Sequence, residues 1–165
     1  MDNTRQFLDE IYREWAEKGR KFCAYRERCT AELSQKFRQL GASEPIARSL
    51  IETLASEGFV DDNRFARVFA RGKFNQNHWG RLRIRSELQA RQVSPTDIQD
   101  GLSEIPQLAY EQTLHQLAAK KANELKNKGK DKIALRTASY LTQKGYESDL
   151  IWQAIKDLGS AGRCS

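Results

Sequence analysis

The feature that most constrains this chain is an internal repeat of about fifty residues. Leu33, Phe37, Ala42, Ala47, Ile51 and Leu54, moved on by 51 positions, become Ile84, Leu88, Val93, Ile98, Leu102 and Ile105. A further step of 53 gives Thr137, Leu141, Tyr146, Ile151, Ile155 and Leu158. Within each copy the apolar residues recur at three- and four-residue steps, the period of a helix with one buried face. Prolines occur only at Pro45, Pro95 and Pro106, and no segment alternates as a strand would.

Each copy reads as two helices joined by a tight turn. Gly41 and Gly145 supply the left-handed conformation that closes a helix. Gln92 stands at that place in the second copy, where its side chain tolerates the conformation poorly, so the Arg91 to Ser94 turn is expected to differ. Ser43 and Ser94 are expected to cap the helices that follow, and Asp61 and Asp62 to cap the segment beginning at Arg64. In front of each pair stands a third amphipathic segment. Phe7, Leu8, Ile11 and Tyr12 match Phe65, Ala66, Phe69 and Ala70 at a shift of 58, and Tyr110, Leu114, Leu117 and Ala118 serve the third copy.

The prediction is therefore an all-α fold, a tandem array of three three-helix repeats at 1–58, 59–105 and 106–160, with 161–165 a frayed tail. Units this small bury apolar surface partly against their neighbours. Helices of about 14 residues rising 1.5 Å each make the array elongated and curved, on the order of 60 Å long. Trp15 and Trp152 lie in apolar-patterned helices and read as core or inter-unit packing.

The formal charge is +6 and unevenly spread. Arg64 to Arg91 holds eight bases against the single acid Glu87, and Pro106 to Arg136 seven bases against three acids. Gln92 to Ile105 carries three acids and no base. Positive charge concentrated in the middle of a chain favours a polyanionic partner, nucleic acid or an acidic protein surface.

Several classes of function are disfavoured. The longest stretch without a charged residue is the eight from Gln112 to Ala119, against the roughly 20 that a membrane helix needs. No apolar leader follows Met1, so a cytoplasmic location is expected. Cys23, Cys29 and Cys164 form no CxxC pair and lie far from His78 and His115, which argues against a metal site. Phosphate-loop, nucleophile-elbow, HExxH and dinucleotide signatures are absent, so neither catalysis nor a cofactor is expected.

The stretch GFVDDNRFARVFARGKFNQNHWGRLRIRSEL, Gly58 to Leu88, resembles the RecX family. The family pattern runs G-apolar-apolar-D-D-x-R-F-A and then G-x-x-R-I-x-x-E-L. Gly58, Phe59, Val60, Asp61, Asp62, Arg64, Phe65 and Ala66 fit the first half, and Gly80, Arg83, Ile84, Glu87 and Leu88 the second. Arg26, Glu27, Arg28, Cys29, Glu32 and Leu33 look like the start of the family's first repeat, with Cys29 where Ser is commoner. The resemblance covers about residues 20 to 158, and Gln92 departs from the family's usual Gly. It implies a monomeric cytoplasmic regulator that binds RecA filaments on single-stranded DNA, with weak or indirect contact to the DNA. Such proteins inhibit ATP hydrolysis and strand exchange by lying in the filament groove or blocking filament growth.

Helical arithmetic puts Arg64, Arg67 and Arg71 on one exposed ladder opposite Phe65, Ala66, Phe69 and Ala70. The ladder is either a polyanion contact or a solvated face paired with carboxylates, and reversing its charge is expected to leave the core intact. Arg81 and Arg85 fall on one flank of the Ile84 and Leu88 stripe and Arg83 on the other. Lys73 adds to the same basic region. Lys120, Lys121, Lys126, Lys128, Lys130 and Lys132 surround Gly129 as a flexible basic turn. Trp79, between the two arginine groups, either stacks on a base or anchors one helix against the next. A major-groove reader is the competing reading. The acids Glu44, Asp97, Asp100 and Asp149 early in the third helices argue against it, because they would face phosphates.

Overall fold

A computed structural model describes residues 2–161, with side chains from 4 to 160. Among them are nine helices and no strand. The helices are α1 (Asp2–Tyr25), α2 (Thr30–Gln39), α3 (Glu44–Ser56), α4 (Asp62–Asn77), α5 (Arg81–Ala90), α6 (Pro95–Ser103), α7 (Gln107–Glu124), α8 (Lys130–Lys144) and α9 (Ser148–Ala161). They pack in threes, α1–α3, α4–α6 and α7–α9, each helix chiefly against the other two of its unit.

The turn between second and third helix is the same in all units. Gly41 and Gly145 have φ of 94° and Gln92 58°. The next N–H closes each turn onto a carbonyl five residues back: Ala42 to Phe37 at 3.0 Å, Val93 to Leu88 and Tyr146 to Leu141 both at 3.2 Å. The expected departure at Gln92 does not occur. Gln92 is driven into the left-handed region because Leu88 and Val93 on either side are buried and fix the turn, at a cost of about 1–2 kcal/mol for a side chain there.

The caps divide. Ser94 Oγ accepts from the Asp97 N–H at 3.1 Å and Asp61 Oδ1 from the Arg64 N–H at 2.9 Å. Ser43 occupies its N-cap without a side-chain bond, because Pro45 removes one of the two N–H groups such a hydroxyl can reach. Asp62 is the first residue of α4 and does not cap it; its carboxylate accepts from the Thr30 N–H of the first unit at 2.7 Å.

The match that placed Phe7 and Leu8 in the first core is overturned. Both are exposed, at 60% and 57%, and the side of α1 that packs inward carries Tyr12, Trp15, Ala16, Phe22 and Cys23. A helical stripe repeats every three or four residues, so a shift chosen on period alone can slip by a turn. Gly19 lies on that inner side, where a Cβ would strike Phe37 and Leu54. Trp152 is also corrected: at 45% exposed it is a surface residue, turned outward on α9 while Ile151 and Ala154 face in. Trp15 is half-buried against the first core. Cys164 lies outside the described residues.

Two apolar cores result. Leu33, Phe37, Ala47, Leu50 and Leu54 form one inside the first unit. The other runs without a break through the second and third units, from Phe65 and Ile84 through Tyr110 to Leu141 and Ile151, and takes in Cys29 at its first-unit edge. A side-chain bond from the first helix to the third helix or the residue flanking it recurs at a separation of 37 residues: Tyr12–Ser49, Arg20–Glu57, Asn63–Asp100, Arg67–Glu104 and Tyr110–Glu147.

Candidate interaction surface

The arginine ladder on α4 is bound to the protein itself. Arg64 Nε donates to Glu27 at 2.9 Å and its Nη2 to the Gly58 carbonyl at 3.1 Å, tying the second unit to the first. Arg67 reaches Glu104 and Asp100 on the α6 side and Asn63 on its own helix. Arg71 lies 3.5 Å from the same Glu104. The three do share one face, with Phe65, Ala66 and Ala70 buried behind them. Their charge, however, is answered by carboxylates from other helices. Reversing it would set new carboxylates against Glu27, Asp100 and Glu104 and is expected to weaken the fold at these pairs.

The α5 arginines have separate fates. The Arg81 backbone N–H donates to the Tyr110 hydroxyl at 3.0 Å, its guanidinium lies 4.1 Å over the Tyr110 ring, and its side chain also holds Gln107 and the Ile105 carbonyl. Arg81 is thus a structural pin between second and third units. Burial and the bond to Glu147 push the Tyr110 hydroxyl far up, so it remains a neutral donor and acceptor. Arg85 is exposed and shares a shallow crevice with Arg81, Gln99 and Ser103.

Arg83 belongs to a cluster of cations on aromatic faces. Its guanidinium sits 3.9 Å above the Trp79 ring, and Lys73 Nζ lies 4.9 Å from the same ring and 5.5 Å from Phe69. Arg91 covers Phe69 at 5.0 Å, and Phe69 meets Trp79 edge-on at 6.5 Å. Phe69 and Trp79 are half-buried against the shared core. Trp79 therefore anchors α4 to α5 and presents a ring to a basic rim. Each such cation is worth about 0.5–1 kcal/mol at an exposed ring. Sequence reading named Lys73, Trp79 and Arg83 but missed Phe69 and Arg91. The five residues, spread from position 69 to position 91, become a cluster only when α5 folds back on α4.

The lysine turn is the other basic feature. Lys121 is held by Glu124 at 3.1 Å and lies 5.2 Å from the Tyr140 ring. Lys120, Lys126, Lys128, Lys130 and Lys132 are exposed at the α7–α8 connection. Among the basic candidates, Lys73, Arg83, Arg85 and the exposed lysines of this turn have no carboxylate partner among the described residues, while the sequence had pointed first to the α4 ladder.

No cluster of three or more His, Cys, Asp or Glu able to hold a metal occurs among the described residues. Burial raises both the Cys23 and Cys29 thiols, which leaves them protonated and poorly nucleophilic.

Residues 61–102 match the second three-helix domain of RecX and residues 109–155 the third. This chain belongs to the RecX family. The regulatory protein RecX of Halorhodospira halophila is 30% identical over 136 residues, covering 79% of this chain and 80% of that one. That of Oceanobacillus iheyensis is 30% identical over 140 residues and 83% of this chain, which spans only half the length of that relative. The crystal structure of RecX from Lactobacillus salivarius superposes with a TM-score of 0.84 at 20% identity, over 92% of this chain and 98% of the other. The fold is thus the RecX array of three-helix units. No helix among the described residues is long and apolar enough to cross a membrane.

Proposed function

We propose that this RecX-family protein binds RecA filaments on single-stranded DNA and lowers RecA activity by binding, without catalysis, in the cytoplasm. Membership of a family of regulatory proteins is the observation that carries this reading. The charge distribution supports an anionic partner, and the Lys73, Trp79, Arg83 and Arg91 cluster offers ring faces and cations side by side, the chemistry that takes a nucleic-acid strand. The contact candidates therefore contract to Lys73, Arg83, Arg85, Lys120, Lys128 and Lys130; Arg91, although over the Phe69 ring, is already held by Glu87 at 2.7 Å. Arg64 and Arg81 serve chiefly to join neighbouring units, and Arg67, Arg71 and Lys121 are answered by carboxylates of their own unit.

The test is RecA ATP hydrolysis on single-stranded DNA with substoichiometric amounts of this protein, which should fall as protein is added. Charge reversal at Arg85, Lys128 and Lys130 should weaken inhibition at least about tenfold with melting unchanged, because new carboxylates would meet an anionic surface. Unchanged hydrolysis with the wild-type chain would overturn the reading.

A further inference from the structure

The third unit departs from the other two at one core position. Leu33 and Ile84 are fully buried; their counterpart Thr137 is equally buried, and its hydroxyl has no hydrogen-bond partner among the described residues. The smaller side chain borders a cleft of about 600 Å³ lined by Ala122, Ile133, Ala134, Ile155 and Leu158, with Lys130 beside it. The segment Lys120 to Lys132 around this cleft holds six lysines and two acids. An apolar space with a basic margin is left open where the repeat elsewhere fills its core.

At the other end, α1 carries an apolar stripe longer than its unit can cover. Trp15 packs on the first core and Ile11 is half-buried, but Phe7 and Leu8 continue the stripe into solvent at 60% and 57% exposed. The first fourteen residues hold four acids and two bases. α1 itself is held by α2 and α3 of its own unit.

We propose that the exposed end of α1 in one copy docks in the third-unit cleft of a second copy, so that molecules associate head to tail. Phe7 and Leu8 supply the apolar anchors of a helix laid in a groove, and Asp9 and Glu10 face the lysine margin. The two surfaces differ, so the contact is heterologous and can add copies in a row. Two anchors and a screened charge pair make a weak contact, so the dilute chain is monomeric and association grows with concentration. The inference stands apart from the RecA reading.

Sedimentation velocity of the full chain over a concentration series tests it. The mean mass should climb above one chain as concentration rises and fall back in high salt. Phe7→Asp with Leu8→Asp, both at exposed positions, should keep the helical signal and weaken association at least about tenfold. Lys128→Glu with Lys130→Glu should do the same from the other side. Mixed together, the two variants should form pairs and stop there, because each retains the surface the other has lost. A wild-type chain that stays at one mass up to its solubility limit would overturn the proposal. So would a Phe7 and Leu8 variant that associates like wild type, or a mixture that remains monomeric.

Discussion

The joint between the second and third units and the joint between the first and second use one plan with different materials. In each, the N-terminus of a unit's second helix is capped by a side chain from the start of the next unit: Asp62 accepts from the Thr30 N–H, and the Tyr110 hydroxyl from the Arg81 N–H. At the later joint, backbone meets backbone as well. The Gly80 and Leu82 N–H groups donate to the Lys144 and Gly145 carbonyls at 2.8 and 3.0 Å, and Tyr146 donates to the His78 carbonyl at 3.1 Å. The rings of Phe74, Tyr110 and Tyr146 line up across it at 5.9 and 5.0 Å. The earlier joint has the Arg64–Glu27 pair and crevices lined by Thr30, Ser34, Arg38, Asp62 and Gln92. Buried apolar area and packed backbone stabilise more than exposed charge, so the second and third units form one block to which the first is more loosely joined.

The largest effect should come at the glycines of the later joint. Gly145 and Gly41 share a φ of 94°, but a Cβ on Gly145 would strike Arg83, whereas one on Gly41 meets nothing within 4 Å. Gly41→Ala should therefore cost only the conformational penalty, about 1–2 kcal/mol. Gly145→Ala should cost that plus overpacking of about 1–3 kcal/mol, read from denaturant midpoints. Equal costs would mean that the later joint yields to a Cβ at Gly145 without strain.

Next in size is Tyr110→Phe, which strands the Arg81 N–H and the Glu147 carboxylate and should cost about 1–3 kcal/mol. Asp62→Ala at the earlier joint should cost less, about 1 kcal/mol, because water can reach the Thr30 amide. Hydrogen exchange at Thr30 and Arg81 separates the cases, with Arg81 the better protected.

Gln92→Gly should stabilise by about 1 kcal/mol, since it relieves a left-handed side chain. A loss of stability on thermal melting would show that Gln92 itself holds the earlier joint. The smallest effect is the Arg64 and Glu27 coupling. A double-mutant cycle to Ala should give under about 1 kcal/mol, shrinking with salt.

Much of the fold was legible in the chain. A helical period, a left-handed turn every fifty residues and Ser94 or Asp61 ahead of an apolar run are local signals, and they led to nine helices in three units. The candidate site was half legible: Lys73, Trp79, Arg83 and the lysine turn could be named, while for the α4 ladder the choice between a polyanion contact and pairing with carboxylates stayed open. One helix's arithmetic put Arg64, Arg67 and Arg71 on a common face but carried no information on which carboxylates would arrive opposite. The recurring 37-residue offset of Arg20–Glu57 and Arg67–Glu104 was a usable signal, visible once the third helix is known to fold back on the first.

The sequence by itself determined the period of the apolar residues, the turn positions and the net charge, and hence helices and repeats. Tertiary structure alone decided which charges are neutralised at home, that Phe7 and Leu8 face solvent, and that Arg81 is a pin while Arg85 is free. The physical reason is range. Helix periodicity and capping are settled within a few residues, whereas the fate of a charge depends on groups tens of residues away that only packing brings within 4 Å.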